Sequence, residues 1–325
     1  MILTRNKAIE QINSWITSSE PFLFVSDFSC EKNILIPLSE VNPEEILFDV
    51  NGKKNFEDVE LPQKDFKLTK QPTSYKEFKE TFDRVHHELK IGNSYLTNLT
   101  FPTPITCNHT LKEIFYRSQA KFKLWIKDQF VVFSPEIFLQ LEGNQITTFP
   151  MKGTIDASLK DAESSILENT KEMAEHVSIV DLIRNDMSIH AQNVKVNRFR
   201  YIDEVRTHEK KLLQVSSEIS GELTDPALEN FGEVLFSLLP AGSISGAPKH
   251  KTLEIIKNAE DYDRKYYSGV FGIFNGKTFD SGVMIRFIEQ QDNQLVFKSG
   301  GGIHSLSDPK AEYEEMIDKV YVPIY

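Results

Sequence analysis

Carboxylates at helical spacing are the first candidates for chemistry in this chain. Glu172 and Glu175 lie three residues apart in one segment with a helical pattern, and Glu312 and Glu315 repeat that spacing in another. Residues three apart project from one face of a helix. Mg²⁺ usually takes one or two protein carboxylates together with water and substrate oxygens, so these glutamates allow a magnesium site. The competing interpretation is a solvated helix face, in which Glu315 and Lys319 form an ordinary salt bridge.

A single lysine, Lys152, lies in the segment Pro150 to Thr154. Proline stiffens the chain and Gly153 lets the backbone turn or approach another group, so the segment is predicted to be a loop just past a hairpin strand. A surface lysine in such a loop is usually solvated. The alternative is a lysine at the rim of a pocket, where it acts as a nucleophile or as a cation.

Two glycine-rich segments and one arginine complete the residues of interest. The loop at 240–249 precedes a helix and can present backbone N–H groups to an anion, but it lacks the residue order of a phosphate-binding loop. The run Gly300 to Gly302 predicts a tight turn or a close approach of the backbone to another group. Arg286 lies in an apolar strand pattern, where it points to solvent or clamps a carboxylate.

Composition narrows the class of protein. The chain has 325 residues, of which 40% are hydrophobic and 26% charged, and these values indicate a soluble globular protein with a sizeable core. A formal net charge of −11 without a basic block argues against nucleic acid and anionic membrane as partners. The two cysteines have no motif spacing, and no signal peptide or membrane-length apolar run is visible, so a cytoplasmic protein is expected.

The elements that must position these residues follow an α+β pattern, with strands grouped in hairpins and no strict strand–helix alternation. We expect a large antiparallel, sandwich-like sheet core with helices packed outside, in a single domain over 1–325 whose residues 1–73 form a short, divergent portion. Helices are predicted at 7–15, 74–89, 158–187, 230–239, 249–260 and after Asp308. Strands are predicted at 22–25, 34–37, 122–126, 130–133, 137–141, 145–149, 194–201, 212–219, 267–274, 281–289 and 294–298.

Two segments have highly specific motifs, Val180 to Asp186 and Gly242 to Lys249. Together with several other segments, taken in order, they resemble the chorismate-utilising enzyme family over residues 74 to 325. The family includes the anthranilate, aminodeoxychorismate, isochorismate and salicylate synthases. The other matching segments are 92–99, 134–136, 150–154, 171–176, 267–272, 285–286 and 300–315.

The resemblance implies that chorismate is bound with Mg²⁺ between the two acidic helices. It assigns Glu175 and Glu315 as direct metal ligands, and Glu172 and Glu312 as residues that act through water. The residues expected to hold the substrate carboxylates or to border its ring are Ser243, Gly246, Tyr267, Arg286, Gly301 and Gly302.

Lys152 decides which member of the family the chain is expected to be. Anthranilate synthases typically carry alanine there, whereas the aminodeoxychorismate synthases have a Pro-Ile-Lys-Gly-Thr motif, matched here with Met151 in place of isoleucine. By resemblance, Lys152 attacks C2 of chorismate and expels the C4 hydroxyl, and ammonia then adds at C4. Thr154 and Lys319 complete the expected catalytic set, and Lys319 with the metal supplies a positive field that favours a neutral amine.

The expected product is 4-amino-4-deoxychorismate, for para-aminobenzoate and folate synthesis, with ammonia from a separate glutamine amidotransferase. Gln214 replaces a histidine of the anthranilate synthases, which leaves open the group that assists loss of the C4 hydroxyl. The alternatives are an anthranilate synthase, an isochorismate or salicylate synthase, whose catalytic lysine lies elsewhere, and an inactive binding subunit of an amidotransferase complex.

Overall fold

Two large antiparallel sheets organise the chain. The computed structural model describes residues 2–62, 64–206 and 211–324, except for the side chains at 154, 171, 205, 206 and 212. In chain order the strands are β1 (Ile2–Leu3), β2 (Phe22–Ser26), β3 (Asn33–Pro37), β4 (Ile46–Val50), β5 (Lys53–Lys54), β6 (Leu68–Lys70), β7 (Leu96–Cys107), β8 (Phe122–Ile126), β9 (Phe130–Ser134), β10 (Ile137–Glu142), β11 (Gln145–Thr148), β12 (Met151–Asp156), β13 (Ala191–Arg206), β14 (Lys211–Leu223), β15 (Gly246–Ala247), β16 (Val270–Phe274), β17 (Thr278–Val283), β18 (Phe287–Gln291) and β19 (Gln294–Ile303).

Helices cover the outer faces of these sheets. In chain order they are α1 (Arg5–Thr17), α2 (Tyr75–Lys90), α3 (Leu111–Arg117), α4 (Ala162–Glu168), α5 (Thr170–Ser188), α6 (Asp225–Glu229), α7 (Phe231–Leu238), α8 (Lys249–Ala259) and α9 (Pro309–Asp318). Short 3₁₀ turns occur at Leu38–Glu40 and Gly242–Ile244.

The sheets pack face to face. The first has the order β1-β3-β2-β16-β17-β10-β11-β14-β12, with β13 also on β14, and the second has the order β15-β7-β19-β18-β9-β8-β4-β5, with β6 also on β7. Leu23 and Phe271 of the first sheet share one buried cluster with Phe122 and Leu124 of the second. Separate apolar clusters lie under α1 and α7, under α3, and between α2, α8 and α9. The expected α+β sandwich with helices outside is confirmed.

Local signals in the sequence are realised where they were predicted. Helix α2 has the expected capping box, because Glu77 N donates to Ser74 Oγ at 3.3 Å and Ser74 N donates to Glu77 Oε2 at 3.0 Å. Asp308 caps α9, and β10 pairs with β11 as a hairpin. Strands from residues 1–73 join both sheets, with β2 and β3 in the first and β4 in the second.

Two predictions around Lys152 were wrong. The segment Pro150 to Thr154 is not a loop, because Met151–Asp156 forms edge strand β12 against β14. The helix predicted at 158–187 breaks at Asn169, whose extended backbone ends α4 and whose side chain accepts a hydrogen bond from Glu172 N at 3.1 Å as the cap of α5. A side-chain cap of this kind competes with helix continuation, so the break lies one turn before the acidic face.

In the last third, the structure decides between two alternatives for the glycine run and corrects one strand. The tight turn at Gly300 to Gly302 is wrong, because these residues lie inside β19 opposite β7, whereas the alternative of a close backbone approach is confirmed. A Cβ on Gly300 would lie 2.1 Å from Leu99 O, so close strand approach accounts for that glycine. The strand predicted at 281–289 divides into β17 and β18, which belong to different sheets, and Arg286 lies in the crossing with a φ of +54°.

Candidate active site

Carboxylates from both acidic helices meet at the glycines of β19. A Cβ built on Gly302 would lie 3.4 Å from Glu175 Oε2, which comes from α5. A Cβ built on Gly301 would lie 3.6 Å from both Glu312 Oε2 and Glu315 Oε1, which come from α9. Consecutive Cα atoms are about 3.8 Å apart, so the two helices present their carboxylates around one short, side-chain-free stretch of backbone.

Glu175 lies next to Lys152 in the buried part of this cluster. The Lys152 side chain, which β12 positions, is 14% exposed, and its Nζ lies 3.9 Å from Glu175 Oε2. A Cβ on Gly302 would lie only 2.8 Å from the same Nζ. The structure therefore brings Lys152, Glu175 and Gly302 together, although they are distant in sequence.

The carboxylates of α9 differ in exposure. Glu312 is buried and accepts a hydrogen bond from Ser307 Oγ at 2.7 Å. Glu315 has a side chain that is 48% exposed and pairs with Lys319 Nζ at 2.6 Å, as the salt-bridge interpretation predicted. Lys319 Nζ also donates to Gly300 O at 2.9 Å, so this pair is attached to the same glycine strand.

Glu172 lies against the backbone of β12. A Cβ on Gly153 would lie 2.9 Å from Glu172 Oε2, and Gly153 has a φ of +86°, so both space and conformation require glycine here. The backbone of Thr154 lies opposite Gln214 on β14, whereas the Thr154 side chain lies outside the described part of the structure.

Glu136 is a site residue that sequence reasoning did not assign. Its buried carboxyl accepts a hydrogen bond from Ser243 Oγ. Burial raises its pKa, and this effect exceeds the opposing influence of the nearby Lys152, Arg286 and Lys319 charges. Ser134 to Glu136 was among the segments that carried the family resemblance, but nothing in its local pattern gave the glutamate a role.

Ser243 and Glu136 also border a small cavity. It has a volume of about 30 Å³, and its polar lining includes Thr148 and Asp186. One water molecule needs roughly 10–15 Å³ of such volume and two or more polar partners. The cavity therefore has room for a small polar molecule beside the Glu136 carboxyl.

Arg286 and Tyr267 have the properties of anion-binding groups. The Arg286 guanidinium lies 5.2 Å from the centre of the Tyr321 ring, and its buried Nε has no hydrogen-bond partner among the described residues. Burial raises the pKa of Tyr267 to about 12, so its hydroxyl keeps a proton that it can donate. A carboxylate would satisfy the arginine donor that the protein leaves unpaired.

The 240–249 loop is attached to α5. Lys249 Nζ pairs with Asp186 Oδ2 at 2.6 Å and donates to Leu238 O at 3.1 Å. Gly246 has a φ of +139°, and a Cβ there would lie 1.9 Å from Leu96 O. Packing against β7 thus explains Gly246, and its expected contact with substrate stays a prediction.

The donor set suits a hard cation more than a soft one. The candidate ligands are carboxylate oxygens, and Gly301 and Gly302 leave beside them space that a Cβ would fill. Over the described residues, no three His, Cys, Asp or Glu side chains converge closely enough to hold an ion by themselves. Carboxylate oxygens are the ligand type that Mg²⁺ prefers, so the chemistry of these residues is compatible with the expected ion.

Comparison with known proteins decides the family. The model of the chorismate binding enzyme family matches residues 29–324. This chain belongs to the chorismate binding enzyme family. The cluster of side chains from α5, α9 and β12 around β19 is thus the candidate chorismate site of a family member.

Three relatives of this family member are compared with the chain. An uncharacterised PabA-like protein of Haemophilus influenzae is 49% identical over 321 residues, which are 99% of this chain and 98% of that protein. Aminodeoxychorismate synthase component 1 of Bacillus subtilis is 28% identical and aligns over 75% of this chain and 54% of its own length. Anthranilate synthase component 1 of Cereibacter sphaeroides is 35% identical, over 59% of this chain and 39% of its own length.

Solved structures support the fold. MenF, the menaquinone-specific isochorismate synthase of Escherichia coli, superposes with a TM-score of 0.75 at 15% identity, covering 98% of this chain and 82% of its own.

Among the described residues of this family member, no helix has the length and apolar character needed to cross a bilayer.

Proposed function

We propose that this chain is component I of an aminodeoxychorismate synthase. It replaces the C4 hydroxyl of chorismate by an amino group, so that chorismate and ammonia give 4-amino-4-deoxychorismate and water. The proposal is consistent with similarity to the Bacillus subtilis aminodeoxychorismate synthase component over 75% of the chain. It places the protein in the synthesis of para-aminobenzoate and folate.

Lys152 carries the proposal. Lys152 lies on β12, the strand next to β14, and its Nζ is 3.9 Å from Glu175 Oε2. This position supports a role beside a substrate that the acidic helices would hold. The Lys152 amine forms a bond to C2 of chorismate, the two conjugated ring double bonds move to C1=C6 and C4=C5, and the C4–O bond breaks. Ammonia then forms a bond at C4 while the C2–N bond to Lys152 breaks, which regenerates the amine.

Glu136 supplies the proton that the leaving hydroxyl needs. A carboxyl whose pKa is raised by burial keeps its proton at a pH where ordinary glutamates have lost theirs. Transfer of that proton to the C4 oxygen lets it depart as water. The resulting carboxylate then accepts a proton from the newly bound nitrogen. In this proposal, Glu136 is the group that assists loss of the C4 hydroxyl, the role that Gln214 left open.

The remaining residues bind and orient the substrate. Arg286 offers an unpaired N–H to a substrate carboxylate, and Tyr267 offers a protonated hydroxyl. Glu175 and Glu315 are the proposed direct ligands of Mg²⁺, with Glu172 and Glu312 acting through water. When bound, Mg²⁺ would hold substrate carboxylate oxygens and offset the negative charge that Glu175 turns toward Lys152.

Product identity tests the proposal. The purified chain is incubated with chorismate, Mg²⁺ and ammonium at alkaline pH, and the products are separated by chromatography. 4-Amino-4-deoxychorismate is expected, and its formation from glutamine is expected only when a glutamine amidotransferase is added. Anthranilate, isochorismate or salicylate as the product would refute the proposal, and no turnover under any condition would favour a binding subunit.

Lys152→Ala gives the matched test of mechanism. The variant should fold, because the Lys152 side chain belongs to an edge strand and lies at the candidate site. It should no longer form the amino product. Its melting temperature is compared with that of wild type as the control for folding. Full activity in this variant would remove Lys152 from the nucleophile role.

A further inference from the structure

The turn that follows β19, residues 304–307, contacts carboxylates of both acidic helices. His304 Nε2 lies 3.3 Å from Glu175 Oε1, and both side chains are buried. Ser307 Oγ donates to Glu312 Oε1 at 2.7 Å. One short turn therefore reaches one glutamate of α5 and one glutamate of α9.

The turn holds the His304 ring in place. His304 N donates to Ser307 Oγ at 3.2 Å, and Ser307 N donates to His304 O at 3.0 Å. Leu306 N donates to His304 Nδ1 at 2.9 Å. A ring nitrogen that accepts a hydrogen bond carries no proton, so the proton of the neutral ring is on Nε2. That nitrogen lies 3.3 Å from Glu175 Oε1, although the angle of the contact falls short of a hydrogen bond in this structure.

The two oxygens of Glu175 face different neighbours. Oε1 faces His304, whereas Oε2 faces Lys152 at 3.9 Å and the α-carbon side of Gly302. A carboxylate can rotate about its last bond, and a donor on one oxygen fixes the plane of the group. Hydrogen-bonded partners of this kind orient metal-ligating carboxylates, and their loss typically weakens metal affinity about 10–100-fold.

We propose that His304 is a positioning residue for Glu175. With the divalent cation bound at Oε2, the Nε2–H would close the 3.3 Å gap to Oε1 as a hydrogen bond and keep the carboxylate from rotating into a closer ion pair with Lys152. The inference rests on the magnesium site of the proposed function. His304 thereby joins the site as a residue that contacts the proposed metal-binding residue Glu175 and does not touch the reacting atoms.

Cation binding without turnover tests the inference. Mg²⁺ is titrated into the full chain by isothermal calorimetry, with Mn²⁺ binding followed by electron paramagnetic resonance as a second readout. His304→Phe keeps an aromatic ring without the N–H and should raise the Mg²⁺ dissociation constant by about tenfold or more. His304→Gln keeps an N–H at similar reach and should recover most of the affinity. In activity assays, the Mg²⁺ concentration for half-maximal rate should rise in His304→Phe, with kcat at saturating Mg²⁺ nearly unchanged.

His86→Phe is the matched control, because His86 Nε2 contacts Ser305 O of the same turn at 2.9 Å but reaches neither carboxylate. It should bind Mg²⁺ as wild type does, and thermal unfolding without cation confirms that all variants fold. Wild-type affinity in His304→Phe, equal losses in His304→Phe and His304→Gln, or no Mg²⁺ binding by the wild-type chain would each overturn the inference. If the inference holds but the proposed reaction is wrong, the variants keep the expected order of Mg²⁺ affinities, and the wild-type chain forms a product other than 4-amino-4-deoxychorismate.

Discussion

Gly302 offers a direct test of where the Lys152 amine must lie. A Cβ at Gly302 would lie 2.8 Å from Lys152 Nζ, 3.1 Å from Leu96 Cδ1 and 3.4 Å from Glu175 Oε2. Only the contact with Lys152 is shorter than any real Cβ contact. Gly302→Ala should therefore displace the end of Lys152 and leave the position of Glu175 nearly unchanged.

The size of the effect follows from the displacement. The amine must retreat from 2.8 Å to an ordinary contact at 3.4 Å, a shift of about 0.6 Å. A misplacement of about 1 Å in a reacting group costs on the order of 100-fold in rate. We therefore expect kcat for amination to fall on the order of tenfold, which corresponds to about 1.4 kcal/mol of transition-state stabilisation. The KM for chorismate should change little, because the backbone N–H of residue 302 remains.

Folding should not account for this loss. Replacing glycine by alanine at a compatible position stabilises a protein by about 0.4–1 kcal/mol through the unfolded chain, and this offsets the tight contact with Leu96. Gly221→Ala is the matched control, since a Cβ there would meet Ala191 Cβ and Val194 Cγ2 at 3.0 Å, on another strand of the core. It should lower the free energy of unfolding and leave kcat unchanged.

The assay is initial-rate formation of the amino product with ammonium and saturating Mg²⁺, together with urea unfolding of each variant. The double variant Gly302→Ala, Lys152→Ala should be no less active than Lys152→Ala alone, because the methyl group then has no amine to displace. A wild-type kcat in folded Gly302→Ala would refute the placement of Lys152 at the reacting carbon.

Three further predictions concern the glutamates and one loop glycine. Glu175→Gln should weaken Mg²⁺ binding by at least about tenfold in a calorimetric titration, whereas Glu314→Gln, an exposed neighbour of the second pair, should leave it unchanged; equal affinities would remove Glu175 from the ligand set. Glu136→Gln cannot donate a proton and should lower kcat by about 10²–10⁴-fold. Burial raises the pKa of Glu136 above 4.5, so the folded chain binds this proton more tightly than the unfolded chain. The free energy of unfolding should therefore fall as pH rises from 4.5 through the raised pKa. This fall should vanish in Glu136→Gln. The same slope in both proteins would contradict a buried, protonated Glu136. Gly246→Ala combines a φ of +139° with a Cβ 1.9 Å from Leu96 O and should cost about 3 kcal/mol in urea unfolding. Gly52→Ala, at φ +88° with open space around it, should cost about 1 kcal/mol or less, and equal costs would show that packing at β15 is unimportant.

The sequence reveals which site residues lie together only where those residues are close in the chain. The acidic pairs are visible in the sequence because three-residue spacing defines one helix face. The companions of Glu175 are not visible in this way. Lys152 comes from an edge strand and His304 from a turn after β19, and only the packing of α5 against both brings them within 3.9 Å and 3.3 Å.

The protonation state of Glu136 could likewise not be predicted from the sequence. A glutamate after Ser134 and Pro135 gives no sign of its protonation state, because a pKa is raised by the surroundings of the folded chain. Burial of the carboxyl in the folded chain raises the pKa of Glu136, against the opposing effects of Ser243, which is 107 residues away, and of the Lys152, Arg286 and Lys319 charges.

The sequence by itself determined the elements whose signals are local. These include the capping box of α2, the Asp308 cap of α9, the β10–β11 hairpin and the helical spacing of the glutamates. Its motifs also determined the family, which the match over residues 29–324 establishes. Only the tertiary structure decided that residues 151–156 form a strand, that Gly300 to Gly302 lie within β19, and that Arg286 lies in the crossing between the sheets. Strand pairing is a contact between distant segments, so short-range periodicity cannot specify it, and the site exists where those long-range pairings bring α5, α9 and β12 around one glycine strand.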